Sequence, residues 1–322
     1  MANIDLMALE PQKISRNLKG KFMMFYGLPG IGKTALAAKF PKVLIAGFEM
    51  GTNALNGVYA QPVKTWDDWR QMQSQLIRKA ELKEKFECVA IDTADSAWDL
   101  CVKYICSQNN VTNLGDIPWG KGYDMAKREY SESFRGLAFA GYGLIFISHA
   151  IEKTFKDEND KEKEIVQINP ALQQRPYDIV NKMVDIIGYI RGIENDEGEM
   201  ERWISFRGNN SYFAKSRFEY IVPKVRFSYE NIVNAIFDAI DEELKHTGGE
   251  ATEEENPYTQ LDFDTLMEDA KILWGKICQA DKVEEAGKIL ENEFGKPIRF
   301  SEILPEQVDK LNNVINAIKE IV

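Results

Sequence analysis

Residues 22–40, FMMFYGLPGIGKTALAAKF, pass from a continuous apolar run through a glycine-punctuated turn into a helical pattern. Gly27-Leu28-Pro29-Gly30-Ile31-Gly32-Lys33-Thr34 satisfies GxxxxGK[ST] in full, with a strand-like segment before it and a helix start, beginning Thr34-Ala35, after it. The residue types fit phosphate binding: glycines let backbone N–H groups turn inward, Lys33 can reach the β and γ phosphates, and the Thr34 hydroxyl can coordinate Mg²⁺. The expected cofactors are ATP and Mg²⁺, and the expected nucleotide contacts run from Gly27 to Ala35. The bland alternative is a Gly-Pro turn carrying an incidental lysine.

Short apolar runs recur on either side of this loop, at 21–26, 42–48, 87–92, 143–148 and 184–190, and helical patterns at 66–86 and 95–108 separate several of them. Runs of this length that lack polar alternation are the mark of strands buried on both faces of a parallel sheet. The expected fold is therefore α/β, a mostly parallel central sheet flanked by helices. Residues 201–206 and 211–218 predict an antiparallel pair at the sheet margin, and a helix over 228–245 closes the domain. HTGGEATEEENPYTQ then suggests an acidic linker over 246–261, and three helical patterns predict a small all-helical module over 262–322.

A phosphate loop of this type needs a carboxylate for the metal at the end of another strand. Asp92, directly after the apolar run ECVAI, fits that need. The alternative is a carboxylate capping the next helix, a job Asp95 can also do. No glutamate follows Asp92, so the group that activates water must come from elsewhere, and Glu49 at the end of the second strand is the candidate.

The chain has 322 residues, 44% of them hydrophobic, enough for a large core domain and an appendage. Its 40 basic and 51 acidic residues leave a net charge of −11, which excludes a uniformly basic surface. The four cysteines form no CxxC pair and there are two histidines, so neither a zinc site nor a disulfide framework is expected. Without an apolar run of roughly 20 residues, no membrane contact is expected, and the expected location is cytoplasmic.

Taken together, the glycine loop, Glu49 closing the next strand, Asp92-Thr93 ending the third and Ser148-His149 after the fourth resemble the RecA-like ATPase core. The order FEMGT, DTADS, GDIPWGKGY and LIFISHA further resembles the phage-encoded AAA-type ATPases grouped with the Sak4-like single-strand annealing proteins, over roughly residues 15–240. This resemblance implies that Glu49 is the catalytic base, that His149 senses the γ phosphate, and that Lys215 and Arg217 enter a neighbouring subunit's site, with Arg217 as an arginine finger. The alternative for that pair is two charges on an exposed strand edge.

Two segments are candidates for DNA contact. In the first, 113–130, Trp119, Lys121 and Tyr123 interleave aromatics with cations, a pattern that stacks bases and pairs phosphates without reading sequence; the alternative is that Trp119 and Tyr123 pack under a glycine-rich turn. The second, 151–178, carries Lys153 and Arg175 and lies where RecA-like recombinases place a DNA-binding loop. The expectation is a homo-oligomeric ring or filament that binds single-stranded DNA and promotes annealing or strand exchange, with a single-strand DNA-binding protein as a further candidate partner. A helicase or motor subunit, and a nucleotide-switched interaction protein that recruits a partner through the C-terminal module, remain as alternatives.

Overall fold

A computed structural model describes residues 11, 13–156, 164–253, 263–319 and 321. In chain order the elements are β1 Met23–Gly27, α1 Lys33–Ala37, β2 Val43–Gly47, β3 Tyr59–Pro62, α2 Trp66–Arg78, α3 Ala80–Lys85, β4 Cys88–Asp92, α4 Ala94–Gln108, α5 Lys121–Phe139 and β5 Gly143–Lys156. There follow β6 Glu164–Pro170, α6 Gln174–Met183, β7 Ile186–Glu194, β8 Met200–Ser205, β9 Lys215–Ser216, β10 Lys224–Arg226, α7 Tyr229–Thr247, α8 Phe263–Gln279, α9 Val283–Phe294 and α10 Val308–Lys319.

The strands form one sheet in the order β10-β8-β7-β1-β5-β4-β2-β3, parallel from β7 across to β3. Every residue of β1 and of β4 is buried, which explains their unbroken apolar character: helices cover both faces. One face packs Trp66, Trp69, Tyr130, Phe134 and Phe146 under α2, α4 and α5; the other packs Leu36, Phe40, Ile232 and Ile236 under α1 and α7. α4 starts where β4 ends, the β5–β6 ribbon returns beside His149 just before α6, and the start of α5 meets that of α6 through the Arg175–Tyr123 contact, so the phosphate loop and the first turns of these three helices share one rim of the sheet.

Several expectations change. The predicted pairing of 201–206 with 211–218 does not occur: β8 and β9 each pair antiparallel with β7, and β8 takes β10 on its other side. The turn between them closes on itself instead, through the Asn209–Tyr212 bridge. The 66–86 helix is two helices, broken at Lys79, whose extended backbone (φ −99°, ψ 111°) ends α2. It is Thr93, not Asp92 or Asp95, that caps α4, its side chain accepting from the Ser96 amide.

The strand expected over 143–148 runs on to Lys156, leaving the sheet after His149 as an antiparallel ribbon with β6 in which Lys156 lies opposite Glu164. The residues between them, 157–163, lie outside the described residues.

The domain closes with α7, two residues beyond the expected end. The linker is tied down at its start: Thr252 bridges Ser15, with Arg16 N donating to Thr252 O (2.8 Å) and Thr252 N to Ile14 O (3.0 Å). Its acidic remainder, 254–261, lies outside the described residues. Helices α8–α10 close around their own core of Leu273, Ile277, Leu290, Leu311 and Ile315, and α8 rests against α3 of the larger domain.

Candidate nucleotide site

The sheet register assembles the site. Gly27, the last residue of β1, lies beside His149 of β5 on one side and Ile190 of β7 on the other, and Asp92 pairs with Ile147 and Gly47 one strand further along. The loop turns at Gly30 (φ 77°) and Gly32 (φ 107°), left-handed conformations that favour glycine, and enters α1 at Lys33. Lys33 is buried, its ammonium donating to the carbonyls of Gly27 and Leu28 (3.0 Å each). Burial lowers its pKa from the ordinary lysine value, against the opposing pull of Asp92, Asp95 and Glu49.

Thr34 Oγ1 donates to Asp92 Oδ2 at 2.7 Å. Burial pushes the Asp92 carboxyl up, opposed by the Thr34 hydroxyl and Lys33 and reinforced by Glu49. Gly51 leaves this corner clear, since a Cβ there would lie 3.3 Å from Asp92 Oδ2 and 3.5 Å from Thr34 Oγ1. Two hard oxygens that no Cβ of Gly51 crowds fit Mg²⁺, which takes few protein ligands and keeps several waters.

Glu49 is anchored over the same spot. Its amide and that of Phe48 donate to Asp92 O (3.2 and 2.7 Å), and its carboxylate accepts from Thr93 Oγ1 (2.8 Å) and Ser96 Oγ (2.6 Å) and meets His149 Nε2 at 3.2 Å. Burial pushes its pKa up, but the Ser96 and Thr93 hydroxyls and His149 outweigh it, and the carboxylate stays charged below the usual glutamate range. Asp95 completes the cluster: the ligand atoms of Glu49, Asp95 and His149 lie within 4.8 Å of one another. A carboxylate so placed beside a metal corner and a buried lysine can orient or deprotonate a water that attacks a terminal phosphate.

The expected set Lys33, Thr34, Glu49, Asp92 and His149 thus converges, whereas Lys215 and Arg217 lie elsewhere. Lys215 pairs with Ile187 near the start of β7, at the rim opposite the phosphate loop, and donates to the Asn181 carbonyl and side chain. Arg217 donates to Asp185 Oδ1 (3.1 Å) and to Lys182 O (2.6 Å). Within one chain the pair fastens the 215–217 segment to the turn between α6 and β7.

The two candidate DNA segments meet on the rim shared with the phosphate loop. Trp119 does not pack under the turn: it is 92% exposed, with a left-handed backbone (φ 64°, ψ 22°) rare outside glycine. Tyr123 is half-buried, and the Arg175 guanidinium stacks 4.1 Å from its ring centroid. Lys121 is exposed. Lys153 is less free than expected, donating to Leu172 O (3.4 Å) with its ammonium 5.2 Å from the Tyr177 centroid, and burial lowers its pKa.

Sequence reasoning did not find Ser96 as a holder of Glu49, Gly51 as the clear corner, or Arg202, whose guanidinium donates to Ile31 O of the loop (3.1 Å). The helix-cap spacing from Thr93 to Ser96 was a signal for the first; for Gly51 and Arg202 nothing short of the sheet order was.

Residues 19–218 match the family model described as AAA domain. The SPbeta prophage-derived uncharacterized protein YorG of Bacillus subtilis (strain 168) is 27% identical over 328 residues, covering 99% of this chain and 98% of that one. Among solved structures, the crystal structure of the RadB recombinase aligns with a TM-score of 0.36 at 14% identity, covering 66% of this chain and 89% of that chain. Among the described residues no helix is long and apolar enough to cross a membrane.

Proposed function

Because the chain belongs to the AAA domain family of P-loop ATPases, we propose that it hydrolyses ATP with Mg²⁺ and couples turnover to single-stranded DNA, promoting annealing or strand exchange as a homo-oligomer. Lys33 holds the β and γ phosphates, Thr34 and Asp92 hold the metal, and Glu49 activates water. His149, in contact with Glu49, links the base to the terminal phosphate.

One observation carries the DNA reading: an almost fully exposed tryptophan and an arginine–tyrosine stack open on the same rim of the sheet as the phosphate loop. Because the chain carries a net charge of −11, its DNA contact is local and gains strength when several subunits present the same patch to one strand. In such an assembly Arg217 leaves Asp185 to reach a neighbour's γ phosphate. The prophage origin of the Bacillus relative supports a phage setting, in the manner of Sak4-like annealing ATPases, in the host cytoplasm and beside a single-strand DNA-binding protein.

The test is annealing of complementary labelled strands by wild type and by Lys33→Ala, with and without ATP. The proposal expects ATP-dependent annealing that the variant lacks. Unwinding of a forked duplex without annealing would instead establish a motor. A second reading has its own support in the separate core of α8–α10: a nucleotide-switched protein whose module recruits a partner. ATP binding that changes a partner's affinity, with no response to DNA, would favour it.

A further inference from the structure

The chemistry on the two sides of β1 differs, and the difference sets the direction in which a nucleotide lies. Asp92, Glu49 and His149 all stand on the β5, β4 and β2 side of the loop. A terminal phosphate that meets them leaves the nucleoside end to extend toward the opposite side, where β7, β8 and β10 stand.

On that side β7 and β8 rise past the phosphate loop: Ile190 is level with Gly27, and two residues later Gly192 pairs with Arg202. Arg202 lies on the same sheet face as Ile204, which packs in the core under α1 and α7, so its side chain projects over the start of α1. There the guanidinium donates to Ile31 O and stacks 5.1 Å from the centroid of Phe227. The Phe227 amide donates to Arg202 O (2.9 Å), which fixes the two residues relative to each other.

Both side chains close directly on the loop: a Cβ on Gly32 would lie 2.8 Å from the Arg202 guanidinium and 3.3 Å from the Phe227 ring. The neighbouring Arg226 is paired with Glu201 at 2.6 Å, whereas among the described residues no carboxylate lies within ion-pair distance of Arg202, which is exposed. A planar cation backed by an aromatic ring, with no ion-pair partner, is suited to receive a second π surface.

We propose that Arg202, backed by Phe227, is the nucleobase platform of this site, stacking the purine ring of the bound nucleotide. The assignment rests on the nucleotide reading of the glycine loop. It makes the site selective for nucleotides with a large base and gives Arg202 no part in gripping the phosphates.

The test compares the affinities of ATP, CTP and inorganic tripolyphosphate, each with Mg²⁺, for wild type, Arg202→Ala, Arg202→Lys and Phe227→Leu, by calorimetry. Wild type is expected to prefer ATP to CTP. Arg202→Ala is expected to lose on the order of tenfold in ATP affinity while tripolyphosphate affinity holds, and lysine, a cation without a plane, does not restore it. Phe227→Leu loses less. Equal losses for ATP and tripolyphosphate, full rescue by lysine, or unchanged ATP affinity would each overturn the platform. If wild type binds neither ATP nor tripolyphosphate, it is the nucleotide reading itself that fails.

Discussion

The phosphate site and the aromatic patch share a rim of the sheet but are built in opposite ways. Lys33 and Asp92 are 6% and 4% exposed, and Glu49 is held by two hydroxyls and an imidazole. Trp119 stands 92% exposed on a strained turn, and the Arg175–Tyr123 stack lies open beside it. The first arrangement is preorganised: its groups are already oriented for charge that develops in the reaction, so each substitution there removes chemistry. The second is a contact surface, and substitutions there remove affinity.

The largest expected effect follows from that preorganisation. Lys33→Ala removes the ammonium from the loop and should lower ATP turnover on the order of a thousandfold, measured by phosphate release. A variant that keeps wild-type turnover would remove the phosphate loop from the account.

Glu49→Gln comes next. The amide keeps the shape and hydrogen-bonding reach of the side chain but cannot take a proton, so turnover should fall about a hundredfold or more while nucleotide affinity persists. A loss of nucleotide affinity equal to the loss of turnover would show that Glu49 binds the nucleotide and does not act as a base.

Trp119→Ala tests the other side of the comparison. Removing an exposed stacking surface should weaken single-stranded DNA binding on the order of tenfold, read by fluorescence anisotropy at fixed salt. Unchanged affinity would mean that the patch serves a different partner.

The smallest effect concerns stability. Burial raises the Asp92 pKa, so the folded state holds the proton more tightly than the unfolded chain and the ionised carboxylate costs stability at neutral pH. That cost fades as pH falls through the raised pKa toward the unfolded value. In thermal melts without Mg²⁺ or nucleotide, Asp92→Asn should therefore melt higher than wild type at neutral pH, with the gap narrowing on acidification. A lower melting temperature at neutral pH would contradict the burial argument.

Much of the parallel half was legible because its physics is local. Strands buried on both faces must be apolar throughout, so β1, β2, β4, the first half of β5 and β7 stand out, and the loop and Asp92 follow from their flanks. The edge strand β3, reading YAQP, is exposed at three of its four positions and carries no such pattern. Among the described residues the far part of β5 pairs as a strand with β6 alone, so charged residues serve as well as apolar ones there.

Long-range choices were illegible for a different reason. That β8 prefers β7 to the 211–218 segment depends on the twist and packing of the finished sheet, not on either segment's composition. Arg202 reaches the loop only through that pairing, from 171 positions away in sequence. Lys215 and Arg217 stand at the rim opposite their own chain's phosphate loop, a placement that no spacing encodes.

The central claim is that the buried site and the exposed patch work together. ATP hydrolysis by the wild-type chain, measured with and without single-stranded DNA across a salt series, tests it most directly. The account predicts a rate raised by DNA at low salt, a stimulation that declines as salt displaces the phosphate contacts, and loss of the stimulated rate in Glu49→Gln. A wild-type rate that is the same with and without DNA at every salt concentration would contradict it.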